Sequence, residues 1–177
     1  VEFNDAGIKP VTFEAVHAAR LLANSFHGTV DALCLALDRP DNVEDLFYYG
    51  ADRIQVLKNS YFGTFSLELW LKAIEPQINK TKPYAIFLSA TTHGKELAAS
   101  LSARLGTGLA TDCVEIKTVG EKQIIVKRPV YAGKALANLI LEGSGPHVLS
   151  LRPNIFRGPG PNSSRTRVLE LLDFKLP

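Results

Sequence analysis

FLSATTHGKELAASLSARLGTG, Phe87 to Gly108, runs an apolar stretch into a polar corner containing one glycine and then into an amphipathic pattern. Leu97, Leu101 and Leu105 recur at i, i+4 and i+8, which predicts a helix from about Lys95 to Leu105, with Gly106 as its left-handed stop. A buried strand, a short loop and a helix form one unit of a wound α/β sheet. The loop offers Thr91, Thr92, Gly94 and Lys95, and the helix start adds free N–H groups and the positive end of its dipole. Two readings of this corner stay open: an anion or nucleotide cradle, or a capped loop facing solvent or a protein partner.

Outward from this unit the same rhythm recurs. On the amino-terminal side, Val1 to Phe3 has the character of a strand tail, and VTFEAVHAARLLANSF (11–26) places Val16, Ala19, Ala23 and Phe26 at helical spacing behind Thr12 as a candidate cap. TVDALCLAL (29–37) is a nearly continuous apolar run of strand length. NVEDLFYYG (42–50) predicts a short helix ending at Gly50, and RIQVL (53–57) a strand. In TFSLELWLKAIEPQI (64–78), Phe65, Leu69, Trp70 and Ile74 form a broad face that Pro76 is expected to interrupt. YAIFLSA (84–90) is another buried strand. Near-continuous apolar strands separated by helices require a parallel sheet covered on both faces, so the first half is doubly wound α/β.

From Cys113 the pattern changes. CVEIKTVGEKQIIVKRPVY (113–131) reads as an antiparallel hairpin around Gly120, KALANLILE (134–142) suits helix or strand, and HVLSLRP (147–153) is a strand. RGPGPNSSR (157–165) has linker composition, and VLELLDFKLP (168–177) is a short apolar end with no evident seat.

Composition bounds the function. The 177 residues suffice for one core, with 46% hydrophobic and 21% charged residues, which argues for a folded globular chain. Twenty Lys and Arg against eighteen Asp and Glu leave a formal +2 without a basic run, so a nucleic-acid surface is not expected. No apolar stretch reaches transmembrane length, and the first residues lack the pattern of a signal peptide, so no membrane role is expected. Methionine is absent even at position 1, which suggests that the sequence is not the whole translation product. Cys34 and Cys113 sit singly in apolar runs, which suits buried thiols in a reducing compartment. No catalytic residue is expected. His93 lacks a sequence partner for general-base work, as do His17, His27 and His147, while Asp112 and Glu115 suit a turn and an outward strand position. No metal site is expected. In an open α/β sheet the ligand crevice lies beyond the strands' carboxyl ends, where NDAGIK (4–9) supplies a second wall. The loop lacks the GxxxxGK[ST] pattern, and the GTG at Gly106 follows the helix instead of preceding it.

SATTHGKELAASLSARLGTGLATDCVEI (89–116), VKRPVYAGKAL (126–136) and VLSLRPNIF (148–156), in this order and at these separations, resemble the amino-terminal domain of the electron transfer flavoprotein alpha subunit. The resemblance runs from Val1 to about Phe156, so that 1–156 would be the domain and 157–177 a linker and terminal segment toward a separate FAD-binding domain. It implies a HUP-type doubly wound parallel sheet with additional antiparallel strands, and it makes KALANLILE a strand. It further implies a heterodimer with a beta subunit that holds AMP, and electron transfer from flavin dehydrogenases, such as those acting on acyl-CoA, to a quinone oxidoreductase. FAD would be held by a domain whose motifs do not occur in this sequence. The implied location is the cytoplasm of a bacterium or the mitochondrial matrix. The alternative is a free-standing adenine-nucleotide-binding domain of the HUP or universal-stress type, using Asn4, Asp5, Thr91, Gly94 and Lys95.

Overall fold

A computed structural model describes residues 1–4, 7–120, 123–158 and 168–175. After a two-stranded hairpin, β1 (Phe3–Asn4) with β2 (Gly7–Ile8), the chain forms α1 (Pro10–Ser25), β3 (Asp31–Ala36), α2 (Asp45–Tyr49) and β4 (Arg53–Lys58). A single 3-10 turn at Ser60–Gly63 leads to α3 (Leu67–Thr81), β5 (Ala85–Ser89), α4 (Thr92–Leu105) and β6 (Leu109–Cys113). The antiparallel strands β7 (Glu115–Val119), β8 (Gln123–Val130) and β9 (Ala135–Leu141) follow, then β10 (His147–Leu151) and β11 (Val168–Asp173).

The parallel strands form two three-stranded groups, ordered β11-β4-β3 and β5-β10-β6, and the antiparallel strands form a third, ordered β7-β8-β9. Helices cover both faces of the parallel groups, as the apolar strands require. On one face, α1 sends Phe13, Val16, Ala19 and Ala23 toward the β3–β4 side, where Ala32, Cys34, Ile54 and Val56 are buried with Leu46 and Phe47 of α2. The same helix sends Ala15, Ala18 and Leu22 toward the other group, against Ala110, Leu149 and Leu151, with Ile124 and Val126 of the antiparallel sheet. On the opposite face, Ala73 and Ile74 of α3 pack with Leu35 and Leu57, while Leu71 and Ile78 pack with Leu97 and Leu101 of α4 above Ile86 and Leu88. The chain is thus α/β with parallel strands and an antiparallel addition.

Two buried charges fasten α1. The Glu14 carboxylate accepts from the backbone N–H groups of Asn154 (3.0 Å), Ile155 (3.0 Å) and Phe156 (3.1 Å), just beyond β10. Six residues further along, Arg20 donates through Nε to the Gly50 carbonyl (2.9 Å) while pairing with Asp52. Asp52 in turn accepts from the Val30 N–H (2.8 Å), so the guanidinium reaches the starts of β3 and β4 together.

Several sequence expectations are corrected. Thr12 lies inside α1, which begins at Pro10 without a side-chain cap, because proline at the first helical position needs no partner for an N–H. The Thr12 hydroxyl instead donates to the Glu2 carbonyl (2.9 Å). Helix α3 continues through Pro76 to Thr81, its apolar face being held against two groups of strands strongly enough to offset the lost hydrogen bond. Phe65 lies ahead of α3, where its ring packs on Trp70 and stacks on His93. Leu109–Cys113 is a parallel strand, although its run of five residues carries Thr111 and Asp112 and lacks the apolar continuity of the others. VLELLDFKLP does have a seat: Val168–Asp173 pairs in parallel with β4, residue against residue from Arg53 to Lys58. KALANLILE, by contrast, is strand as the resemblance implies, pairing from Ala135 to Leu141 with β8.

Two predictions follow from these buried groups. Glu14→Ala, which removes the acceptor shared by three backbone N–H groups, is expected to lower the unfolding free energy by about 1–2 kcal/mol in urea titrations, with Glu14→Gln losing less. His147 is buried, its Nε2 has no partner among the described residues, and burial lowers its pKa. Its folded pKa therefore lies below the ordinary value of about 6.5, so the unfolded chain takes up the proton first and stability falls as pH drops below that value. His147→Gln is expected to flatten the pH dependence between about pH 7 and 5, read from denaturation midpoints at each pH.

Candidate functional site

The crevice singled out by the sequence lies at the carboxyl end of β5. Thr91 is the N-cap of α4: its Oγ1 accepts from the Gly94 N–H at 3.1 Å. The same hydroxyl donates to Oε1 of Glu2 at 2.8 Å, and Lys9 lies 3.5 Å from the other oxygen of that carboxylate. A carboxylate of the chain itself therefore stands beside the helix start, where the dipole and free N–H groups favour negative charge. Gly94 is buried against β5, and a Cβ there would collide with the Ser89 carbonyl oxygen. Its glycine is explained by close helix–strand approach, independently of any ligand.

Thr92, His93 and Lys95 are exposed on the first turn of α4, and the His93 ring is stacked on Phe65 at 4.1 Å between centroids. Asn4 is exposed on β1; Asp5 lies outside the described residues. The structure thus brings Thr91, Gly94 and Glu2 together and leaves Thr92 and Lys95 at the rim. Glu2 was not read from the sequence, because its role depends on the N-terminal segment folding across β5. Beyond the crevice, Asp112 takes a positive φ of 57° and forms a two-pronged pair with Arg152, at 3.1 and 2.6 Å. The Arg152 guanidinium holds the Asp112 carboxyl below its usual range. His17 and His147 have their pKa values lowered by burial, and neither meets a nucleophile–carboxylate pair. Cys34 and Cys113 are free and buried, their thiols pushed up to about 11 and about 12 by desolvation. Both are protonated at neutral pH and unsuited to nucleophilic attack. Among the described residues no cluster of three or more potential metal ligands occurs, and no helix is long and apolar enough to cross a membrane.

A second surface stands out by its exposed apolar area. The β7-β8-β9 sheet turns Ile124, Val126, Ile116 and Leu139 inward. Strand alternation places Lys117, Ile125 and Ile140 in one outward row and Glu115, Lys127 and Asn138 in the next, followed by Pro129 beside Leu136. Leu136 is 60% and Ile140 54% exposed, and Tyr131, at the turn before β9, is 82% exposed. Glu115 pairs with both Lys117 and Lys127, which hold its carboxyl down to about 2. The face is an apolar strip crossed by a fixed ion triad. Strand β10, by contrast, contributes nothing to an exposed face: every residue of it is buried, because it is the central strand of its group.

Comparison with known proteins agrees with this architecture. The family model for the electron transfer flavoprotein domain matches residues 1–176. Relatives include the lactate dehydrogenase (NAD(+),ferredoxin) subunit LctC of Acetobacterium woodii, 29% identical over 99% of this chain and 42% of that protein. The electron transfer flavoprotein subunit alpha of Bacillus subtilis is 27% identical over 99% of this chain and 53% of its own length. Protein FixB of Azorhizobium caulinodans is 28% identical over 90% of this chain and 44% of its own length. The chain spans about half the length of these relatives. With a matched family model along nearly its whole length and an α/β fold of the expected kind, the chain belongs to the electron transfer flavoprotein domain family, on the alpha-subunit side.

Proposed function

We propose that this domain is the scaffold of a heterodimeric electron transfer flavoprotein and binds its beta subunit. The whole protein would carry electrons from flavin dehydrogenases, such as acyl-CoA dehydrogenases, to a quinone-linked acceptor, in a bacterial cytoplasm or a mitochondrial matrix. The domain itself contributes no catalytic residue. The observation that carries the partner-binding part is the outward strip of β8 and β9, where Ile125, Pro129, Leu136 and Ile140 lie side by side. Exposed apolar rows of this kind are characteristic of protein contact surfaces, and the neighbouring Glu115–Lys117–Lys127 triad supplies fixed charge for register.

The cofactors are assigned elsewhere in the assembly: FAD to a domain outside residues 1–177, and AMP to the beta subunit. A flavin needs an apolar slot for its rings and donors for its diphosphate. The cleft between α3 and α4 is lined by Glu75, Asn79, Arg104 and Leu105. Arg104 there is engaged by Glu68 and Glu75, so the cleft does not fit the cofactor. The Thr91–Lys95 corner fits a nucleotide poorly as well, since Glu2 would face its phosphates and Gly94 is turned toward Ser89.

Co-expression with a cognate beta subunit is expected to give a co-eluting pair. Leu136→Asp with Ile140→Asp, at exposed positions, is expected to weaken that pairing at least tenfold, or about 1.4 kcal/mol or more, with the isolated domain's melting temperature nearly unchanged. Separate elution of the unaltered chains at micromolar concentration counts against the proposal. In a thermal-shift panel, AMP, ATP and FAD at 1 mM are expected to leave the domain unshifted, with sulfate having a small effect that grows in Glu2→Gln. A saturable nucleotide effect of about 2.7 kcal/mol, the value for a ligand at a hundred times its Kd, would establish the nucleotide-binding alternative.

A further inference from the structure

Arg128 is a cation that the fold brings to a polar junction and leaves without an acceptor among the described residues. Strand alternation places it in the same row of β8 as Ile124 and Val126, which are fully buried, so its stem runs inward. The ladder with β7 stops one residue earlier, at the Glu115–Lys127 pair, and only Ala137 of β9 stands beside Arg128. In place of β7 the chain crosses over from β6: the Val114 N–H donates to the Lys127 carbonyl (2.8 Å), and the Arg152 N–H to that of Cys113 (3.0 Å). Arg128 is thereby set beside the carboxyl ends of β6 and β10.

Two carboxylates lie at this junction, and both are committed. Asp112 accepts from Nε and Nη2 of Arg152 through its two oxygens, and its N–H donates to the Ser150 hydroxyl (3.0 Å). Glu115 is held by Lys117 and Lys127. Arg128 keeps a buried Nε with no hydrogen-bond partner among the described residues. The contrast with Arg152 is direct, since that residue uses its Nε edge to grip a carboxylate from the side and Arg128 has the same edge with no described acceptor. Arg152 first, and then the fields of Lys95 and Arg128, hold the Asp112 carboxyl down, so three cations surround one acid. Positive charge is in local excess, and a buried guanidinium donor calls for an acceptor from outside the domain.

We propose that Arg128 is the anchor for a carboxylate side chain of the beta subunit, gripped from the side through Nε and a neighbouring Nη. This contact rests on the beta-subunit reading above and adds the chemistry that the partner brings. The place of Arg128 in the fold favours that occupant. Its neighbour Pro129 pairs with Leu136 of the apolar strip, and three residues beyond Arg128 the chain turns out at Tyr131. Tyr131, Ala132 and Gly133 take successive φ values of 51°, 53° and 86°, a left-handed turn that is costly for the two residues with a side chain. That turn holds Tyr131 82% exposed. Tyrosine and arginine are enriched among the few residues that dominate a protein contact, and here they stand at one end of an exposed apolar row. A partner that covers Leu136 and Tyr131 reaches round this end of the sheet to Arg128. A nucleotide phosphate fits less well, because such a group draws on several free N–H donors or cations. Here Arg152 is engaged and β8 is taken up in its ladders, which leaves a single open fork.

The test uses the chain co-expressed with a cognate beta subunit, unaltered or carrying Arg128→Met, Arg128→Lys or Arg128→Glu. It reads the affinity of the pair and the melting temperature of the chain alone. A half-buried cation without a partner costs the isolated fold solvation, so Arg128→Met is expected to leave its melting temperature unchanged or raised while weakening the pair by about tenfold or more. Arg128→Lys keeps the charge and loses the fork, and is expected to recover only part of the affinity. Arg128→Glu sets two carboxylates face to face, and is expected to bind about tenfold more weakly again than Arg128→Met. A melting temperature lowered by several degrees in Arg128→Met gives the residue a structural role and overturns the proposal. So does pairing of Arg128→Met within about twofold of the unaltered chain, an outcome that leaves the beta-subunit reading standing. Full recovery in Arg128→Lys overturns the side-on grip, and equal affinity of Arg128→Met and Arg128→Glu shows that the facing group is no anion. If the unaltered chains do not pair, the beta-subunit reading and the anchor fall together.

Discussion

Helix α1 is the constraint on which the remaining structure depends, because it is the element that packs against both parallel groups and the antiparallel sheet at once. Its apolar residues divide between two cores: Val16 and Ala19 toward β3 and β4, Ala18 and Leu22 toward β6, β8 and β10. Burial alone would let the helix slide, since hydrophobic contact has no direction. Glu14 and Arg20 remove that freedom. One carboxylate reaches three N–H groups after β10, and one guanidinium reaches Gly50 and Asp52 at the other group, so each half of the molecule is tied to the helix by a charged group with several partners. Both side chains are buried, which makes the loss of either partner costly.

In the crevice beyond β5 a carboxylate of the chain itself meets the positive end of a helix. The helix dipole, the Thr91 cap and the polar rim provide a positive end, and Glu2 meets it from within the chain. Gly94 permits α4 to lie directly on the Ser89 carbonyl, so close packing of helix on strand is sufficient to require it. The corner connects the N-terminal segment, β5 and α4 in one hydrogen-bonded joint.

Charge is arranged accordingly. Asp112 with Arg152, Glu115 with two lysines and Arg104 with two glutamates are local pairings spread over separate edges, which suits a near-neutral chain with no single dominant field. The apolar row on β9 is one exception to this evenly charged surface. It arises because a three-stranded sheet packed on one side only must present its other side outward, and here alternate positions of that side carry leucine and isoleucine.

By itself, the sequence determined the alternation of apolar strands and amphipathic helices, the hairpin around Gly120, the stop of α4 at Gly106 and the isolation of both cysteines. These are local properties, set by periodicity, by the conformational freedom of glycine and by the scarcity of polar neighbours. The motifs from Ser89 to Phe156 also made the family legible. Only the tertiary structure decided what long-range contact controls. Helix α3 passes through Pro76 because its face is held by two cores. Leu109–Cys113 becomes a strand because β10 offers it an edge, whatever its own modest apolarity. Val168–Asp173 finds β4, more than a hundred residues away in sequence, through pairing that no local pattern announces. At the crevice the cap and the glycine were readable as residues, but the carboxylate that meets them was not. A side chain's partner depends on where the chain returns in space, and that is set by the packing of α1 and the sheets, not by the order of neighbours along the sequence.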